Sequence, residues 1–318
     1  MSHRKLTLTL FIVYIVGMTA VMIWQGIGIA PDRYAFVLLL GSLLVKRTRR
    51  FLLDWVPFLF ILISYDFLRG FADNLNNRVH FFELIHFDKA LFGELPTTHL
   101  QKLLYTPGVV HWYDVAFTII YFLHFALPMA FGFLLWLYSK PRFREFTLGL
   151  LLLSYAAWIT YIIYPAAPPW MAADKGYVQV DKVMFQTFGL FPEKISLPTV
   201  YHKFNPNPVA AIPSMHAGYP IFVLLFAFTI FKKKALFFLP YVLIVWFAII
   251  YLGEHYVIDV LLGALYGVFF FIVAKKLSAH VKFLHHSETH TGSKAQLAEL
   301  KNEEGDTFRW LKKKIDRF

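Results

Sequence analysis

The chain has 318 residues, of which 58% are hydrophobic and 19% aromatic, and only 16% are charged, against roughly 25% in soluble domains. Several apolar runs approach the ~20 residues that cross a bilayer, which excludes a soluble globular domain and predicts a polytopic membrane protein. The net charge of +11 lies in short Lys/Arg runs between apolar segments, as in inner loops, so no nucleic-acid partner is expected; the lack of cysteine excludes disulfides, thiol catalysis and cysteine metal sites.

In chain order, Ser2-His3-Arg4-Lys5 leads into an apolar run to Trp24 that lacks a small-residue cleavage site and reads as an uncleaved first span. A second run, Tyr34 to Val45, is short for a span and reads either as a tilted helix beginning near Ile27 or as a re-entrant segment; the basic cluster Lys46, Arg47, Arg49 and Arg50 follows. A third span is predicted over Phe51 to Leu68, ending beside Arg69. Residues 71–112 mix aromatic, aliphatic and charged side chains, the pattern of helices lying in the membrane interface. Further spans are predicted over Tyr113–Tyr138 (containing His124 and Pro128), Phe146–Ile163, Pro213 to the Lys232–Lys234 run, Leu236–Leu252, and from His255 to Lys275–Lys276. The proline-rich loop from Tyr164 to Ile212 is longer than a connector needs and is expected to fold over something.

The basic clusters at 46–50, 140–144, 232–234 and 275–276 all fall on the inner side when the N-terminus is placed inside and the spans alternate. The same parity puts Arg69, the 164–212 loop, His216 and His255 together on the outer side. The polar stretch 281–318 carries His285, His286 and His290 without the companions a metal site needs, and ends in a basic amphipathic pattern suited to an anionic inner leaflet. The expected organisation is therefore an all-α membrane helix bundle: N-terminal spans in 1–50, a six-span core in 51–280 and a basic tail in 281–318.

Two short motifs carry chemistry. His255 and Asp259 are spaced i, i+4, which on a helix stacks them one turn apart. The carboxylate then takes the Nδ1 proton and leaves the other ring nitrogen free to act as a nucleophile. Pro213-Ser214-Met215-His216 opens another apolar helix. Its backbone N–H groups and the Ser214 hydroxyl make a candidate phosphate seat, with His216 placed to protonate a leaving oxygen. Each motif alone also reads as ordinary helix capping; the pair points to phosphoryl transfer.

These residues resemble the type 2 phosphatidic acid phosphatase (PAP2) superfamily, in particular its inositol phosphorylceramide synthase branch. The resemblance rests on Asn205-Pro206 leading to Ala210-Ala211-Ile212-Pro213-Ser214-Met215-His216, and on Gly253-Glu254-His255-Tyr256-Val257-Ile258-Asp259. Tyr164–Trp170, Leu91–Pro96 and Tyr121–Pro128 support it. It implies that His255 attacks phosphorus to give a phosphohistidine, that Asp259 orients His255, that His216 protonates the leaving group, and that neither metal nor other cofactor takes part. The superfamily's basic first motif is absent, and Ala248 and Ile249 stand where a Ser-Arg pair is usual, as in the synthase branch. A phosphate still wants positive charge nearby. Arg69 is the first candidate, against a snorkelling interfacial arginine, and Lys203 the second. His124, in the middle of its span, is a candidate site residue or a packed, hydrogen-bonded one. The expected substrates are lipid phosphates or phospholipids, with no obligatory protein partner. The competing reading, a lipid transporter or scramblase, predicts broken helices in repeated halves, a pattern the sequence lacks.

Overall fold

The computed structural model describes residues 78–188 and 207–288 continuously, together with scattered positions between 9 and 20 and between 54 and 76. Most of the predicted first span, the second span, the 46–50 cluster, Arg69, Lys203, Asn205-Pro206 and the chain beyond 288 lie outside the described residues. Among the described residues the elements are α1 (Phe82–Phe92), α2 (Pro96–Leu104), α3 (Trp112–Tyr138), α4 (Lys140–Ile163), α5 (Pro169–Asp174), α6 (Val183–Phe188), α7 (Met215–Phe231), a 3-10 turn (Lys232–Phe238), α8 (Leu239–Tyr251) and α9 (Val257–Glu288), with only isolated β-bridges. An apolar helix, Asp54–Tyr65, lies within the predicted third span.

Three stretches are long and apolar enough to cross a bilayer, namely α4, Met215–Tyr251 and the Val257–His280 part of α9; the bent α3 qualifies as a fourth if counted as one span. The chain is a helical membrane protein. Met215–Tyr251 is a hairpin: Lys232 adopts φ 53°, the 3-10 turn reverses the chain, and α8 returns along α7. The bend in α3 has a local cause. Pro128 has no N–H for the His124 carbonyl four residues back, and the axis turns by 49° there.

Two boundaries differ from the expected ones. α4 begins at Lys140, with Ser139 at its N-cap and Pro141 in the first turn, so its basic residues belong to the helix; a proline there is compatible with helix starts. α9 continues to Glu288, past Lys275-Lys276 and into the stretch expected to be a polar tail, because those lysines end the apolar run without breaking the backbone pattern.

The bundle has two chemically distinct ends. At one, Lys140 pairs with Asp54, Lys275 with Glu145 at 2.9 Å and Arg142 with Glu145 at 3.2 Å, near the Lys232–Lys234 turn. At the other, α1, α2 and the 164–188 segment converge on the ends of α8 and α9. Gln101 of α2 donates to the carbonyls of Tyr251 and Asp181 at 2.9 and 2.8 Å and accepts from the Asp181 N–H at 2.8 Å. Trp170 N–H donates to the Gly253 carbonyl at 3.1 Å. Parallel bridges tie His80 to Ala166 and Ala166 to Ala210. The described parts of the long loop thus fold over the turn that carries His255.

α7 and α9 cross in close backbone contact at glycines. A Cβ on Gly263 would lie 2.1 Å from the Ser214 carbonyl oxygen, one on Gly218 2.9 Å from the Gly263 oxygen, and one on Gly267 2.6 Å from the Gly218 oxygen. Gly263 and Gly267 form the small-xxx-small pattern that lets membrane helices approach closely.

Candidate active site

The site forms where the α7 N-terminus meets the α8–α9 turn. Gly253 at φ 80° makes that turn; a Cβ there would also meet the Asp181 carbonyl at 2.9 Å. The turn carries Glu254 and His255, both buried. Two carboxylates then organise the first turn of α9. Asp259, fully buried, accepts the Tyr256 N–H at 2.9 Å. Asp88, 1% exposed and reaching across from α1, accepts the Val257 and Ile258 N–H groups at 2.8 and 3.2 Å. Together they satisfy three N–H groups at the start of α9 that have no partner within the helix.

His255 Nδ1 stands 3.4 Å from Asp259 Oδ2, and His255 Nε2 stands 3.1 Å from His216 Nδ1. With Asp259 ionised, the network assigns the protons. His255 Nδ1–H points to the carboxylate, His255 Nε2 keeps its lone pair, and His216 Nδ1–H donates to that lone pair. The His255 Nε2 lone pair thus faces an N–H donor.

His216 is held by aromatic rings. Tyr121 stacks on it at 4.1 Å between centroids, and the His124 ring lies 3.6 Å away. His124 Nδ1–H donates to the Tyr121 carbonyl. The α3 bend at His124 brings both rings of that turn against His216. Tyr161 donates to the Pro213 carbonyl at 2.9 Å, and the Ser214 N–H to the Asp259 carbonyl at 3.0 Å, so the two motifs are also joined through their backbones.

The structure thus brings His216, His255, Asp259 and His124 together. Ser214, expected as part of the phosphate seat, has a buried Oγ with no hydrogen-bond partner among the described residues. It is the N-cap of α7, with Pro213 one residue outside the helix rather than in its first turn. Its carbonyl already takes the Ala217 and Gly218 N–H groups. Its side chain is fully buried and lies outside the cavity lining. The cause is the glycine crossing, which presses Ser214 onto Gly263. Arg69 and Lys203 fall outside the described residues.

The cavity over the two histidines is lined by His124, His216, His255, Glu254, Asn207 and the tyrosines Tyr65, Tyr121, Tyr161 and Tyr219, among others. No lysine or arginine lines it among the described residues. Sequence reading passed over Asp88, Glu254 and Asn207. For Asp88, the available signal was an aspartate inside an otherwise aromatic interfacial segment. Nearby, Lys182 lies 3.3 Å over the Trp170 ring and 4.4 Å over Phe185, and burial pushes its pKa down to about 8. Among the described residues there is no group of three or more His, Cys, Asp or Glu side chains arranged to hold a metal.

Comparison with known proteins gives the family. The PAP2 superfamily profile matches residues 82–273, more than half of the chain. A phosphoinositol dihydroceramide synthase of Bacteroides thetaiotaomicron is 30% identical over 291 residues, covering 85% of this chain and 93% of the relative. The inositol phosphorylceramide synthase of Candida albicans is 23% identical over 48% of this chain and 34% of its own length. The inositol phosphorylceramide synthase catalytic subunit aur1 of Schizosaccharomyces pombe is 26% identical over 49% of this chain and 38% of its own. No solved structure matches significantly. The chain belongs to the PAP2 superfamily, in its inositol phosphorylceramide synthase-like branch, and is a membrane enzyme of the lipid phosphate phosphatase or phosphotransferase type.

Proposed function

We propose that the enzyme transfers a phosphoinositol-type headgroup from a phospholipid to a ceramide-type alcohol, through a phosphohistidine on His255, at the outer face of the membrane. The observation that carries this reading is the 3.1 Å contact between His255 Nε2 and His216 Nδ1 with Asp259 behind His255. The name of the Bacteroides relative, which spans nearly the same length, supports the choice of headgroup and acceptor. The outer location is supported by the gathering of basic residues at the opposite end of the bundle.

In the first half-reaction His255 Nε2 bonds to phosphorus as the phosphorus–oxygen bond to the donor's lipid alcohol breaks. His216 Nδ1 gives its proton to that oxygen. The phosphodiester must enter where the direct N···N bond now lies, so substrate binding separates the rings. In the second half-reaction His216 takes the proton of the acceptor hydroxyl, whose oxygen bonds to phosphorus as the N–P bond breaks. Asp259 stabilises the charge that forms on the His255 ring. Entry of water instead of an alcohol would turn transfer into hydrolysis.

The test uses the purified full chain with a phosphorus-labelled phosphoinositol lipid, with and without ceramide. An acid-labile protein label that ceramide discharges into labelled lipid is expected. His255→Ala should abolish the label, and Asp259→Asn should cut turnover severely, as loss of the aspartate does in the serine-protease triad, by about 10⁴-fold. A label that persists in His255→Ala defeats the mechanism.

A further inference from the structure

We infer that Asn207 is a catalytic residue: its side-chain amide donates a hydrogen bond to a non-bridging oxygen of the phosphoryl group as it transfers. The inference rests on the phosphoryl-transfer reading of the same cavity and adds the group that stabilises the anion there. Asn207 lines the cavity with His216 and His255 and is 1% exposed. Its Oδ1 accepts the Val209 N–H at 3.0 Å, which fixes the amide's orientation. Among the described residues its buried Nδ2 has no hydrogen-bond partner. A buried, unsatisfied NH₂ costs about as much as a lost hydrogen bond, and this one belongs to a residue that lines the cavity with both histidines, where a phosphoryl oxygen can supply the acceptor.

The chemistry of that use follows from what else lines the cavity. An amide NH₂ only donates, and a phosphoryl group offers oxygens that only accept. No lysine or arginine lines the cavity among the described residues, so the developing charge needs neutral, fixed donors. Asn207 is such a donor. It sits in Asn205-Pro206-Asn207-Pro208, between two prolines, and is pinned at Oδ1. It therefore requires little reorganisation at the moment of reaction, the property that makes an oxyanion-hole donor effective. Glu254 lines the same cavity and, as an acceptor, suits a hydroxyl rather than the phosphate.

The decisive variant is Asn207→Asp. The aspartate can still accept the Val209 N–H, and only the Nδ2 donor is exchanged for an anionic oxygen. Asn207→Ala removes the donor without adding charge and stands in should the aspartate variant fail to fold. Three quantities are measured on the full chain in detergent: thermal unfolding, kcat and KM for lipid transfer, and affinity for tungstate by tryptophan fluorescence. Loss of one such donor costs about 10²–10³-fold in kcat. The expected result is a loss of that order with a smaller change in KM, tungstate binding weakened about tenfold or more, and wild-type unfolding. A folded variant of either kind with wild-type kcat and tungstate affinity overturns the inference. The tungstate arm needs neither turnover nor a covalent intermediate. If wild type forms no phosphohistidine but its tungstate binding depends on Asn207, the anion site stands and the mechanism above falls. If Asn207→Asp forms phosphohistidine at the wild-type rate, the mechanism stands and this inference falls.

Discussion

Gly263→Ala isolates the geometric demand of the site, because it adds one carbon to a residue that touches neither histidine. The new Cβ would stand 2.1 Å from the Ser214 carbonyl oxygen and 2.9 Å from its carbonyl carbon. Both are backbone atoms, so no rotamer change relieves the contact. Reaching an ordinary contact of 3.4 Å requires Ser214 and the α9 backbone to part by about 1.3 Å. Ser214 is two residues from His216, and Gly263 is one turn beyond Asp259, so the displacement falls between the two candidate histidines. A misplacement of about 1 Å can cost on the order of 10²-fold in rate, while overpacking costs about 1–3 kcal/mol in stability. Gly149→Ala is the control. Its Cβ would meet the Phe222 ring at 2.7 Å and the Ala274 methyl at 2.8 Å, in the packed core away from the histidines. Lipid-transfer kinetics and thermal unfolding should show both variants destabilised, and only Gly263→Ala losing about 10²-fold in kcat/KM beyond its unfolded fraction. Wild-type kcat/KM in folded Gly263→Ala would refute the reasoning.

Asp88→Ala strips the acceptors from two N–H groups at the start of α9. It should lower stability by about 1–3 kcal/mol, with Asp88→Asn recovering part because one oxygen remains to accept; equal unfolding midpoints for Asp88→Ala and wild type would show that water replaces the carboxylate. Lys182 offers a test in pH. Its pKa in the folded protein is about 8 against 10.5 for an ordinary lysine, so between those values the unfolded chain binds more protons and stability rises with pH. Lys182→Met should flatten that rise in a series of unfolding midpoints from pH 7 to about 10.5; an unchanged slope would show that the lysine is not desolvated.

How much of this was legible in the chain follows from the range of the forces involved. Apolar run lengths and basic clusters are local properties, and they were enough to predict a helical membrane protein with its histidines together at one end of the bundle. The i, i+4 spacing of His255 and Asp259 is equally local, and the helix geometry brings the pair within 3.4 Å. Helix ends were less legible. The lysines at 275–276 end hydropathy without ending the helix, and Pro213 lies outside the turn it was expected to open. What only the tertiary structure decided are contacts between residues far apart in the chain. Asp88 capping α9, Tyr121 and His124 packed on His216, and Asn207 in the lining of the cavity all depend on how helices cross. That crossing is set by Gly218, Gly263 and Gly267, where the missing side chains let two backbones meet. A glycine in the sequence reports freedom to approach but not its partner, and so the close contact of the Ser214 backbone with Gly263 was not legible.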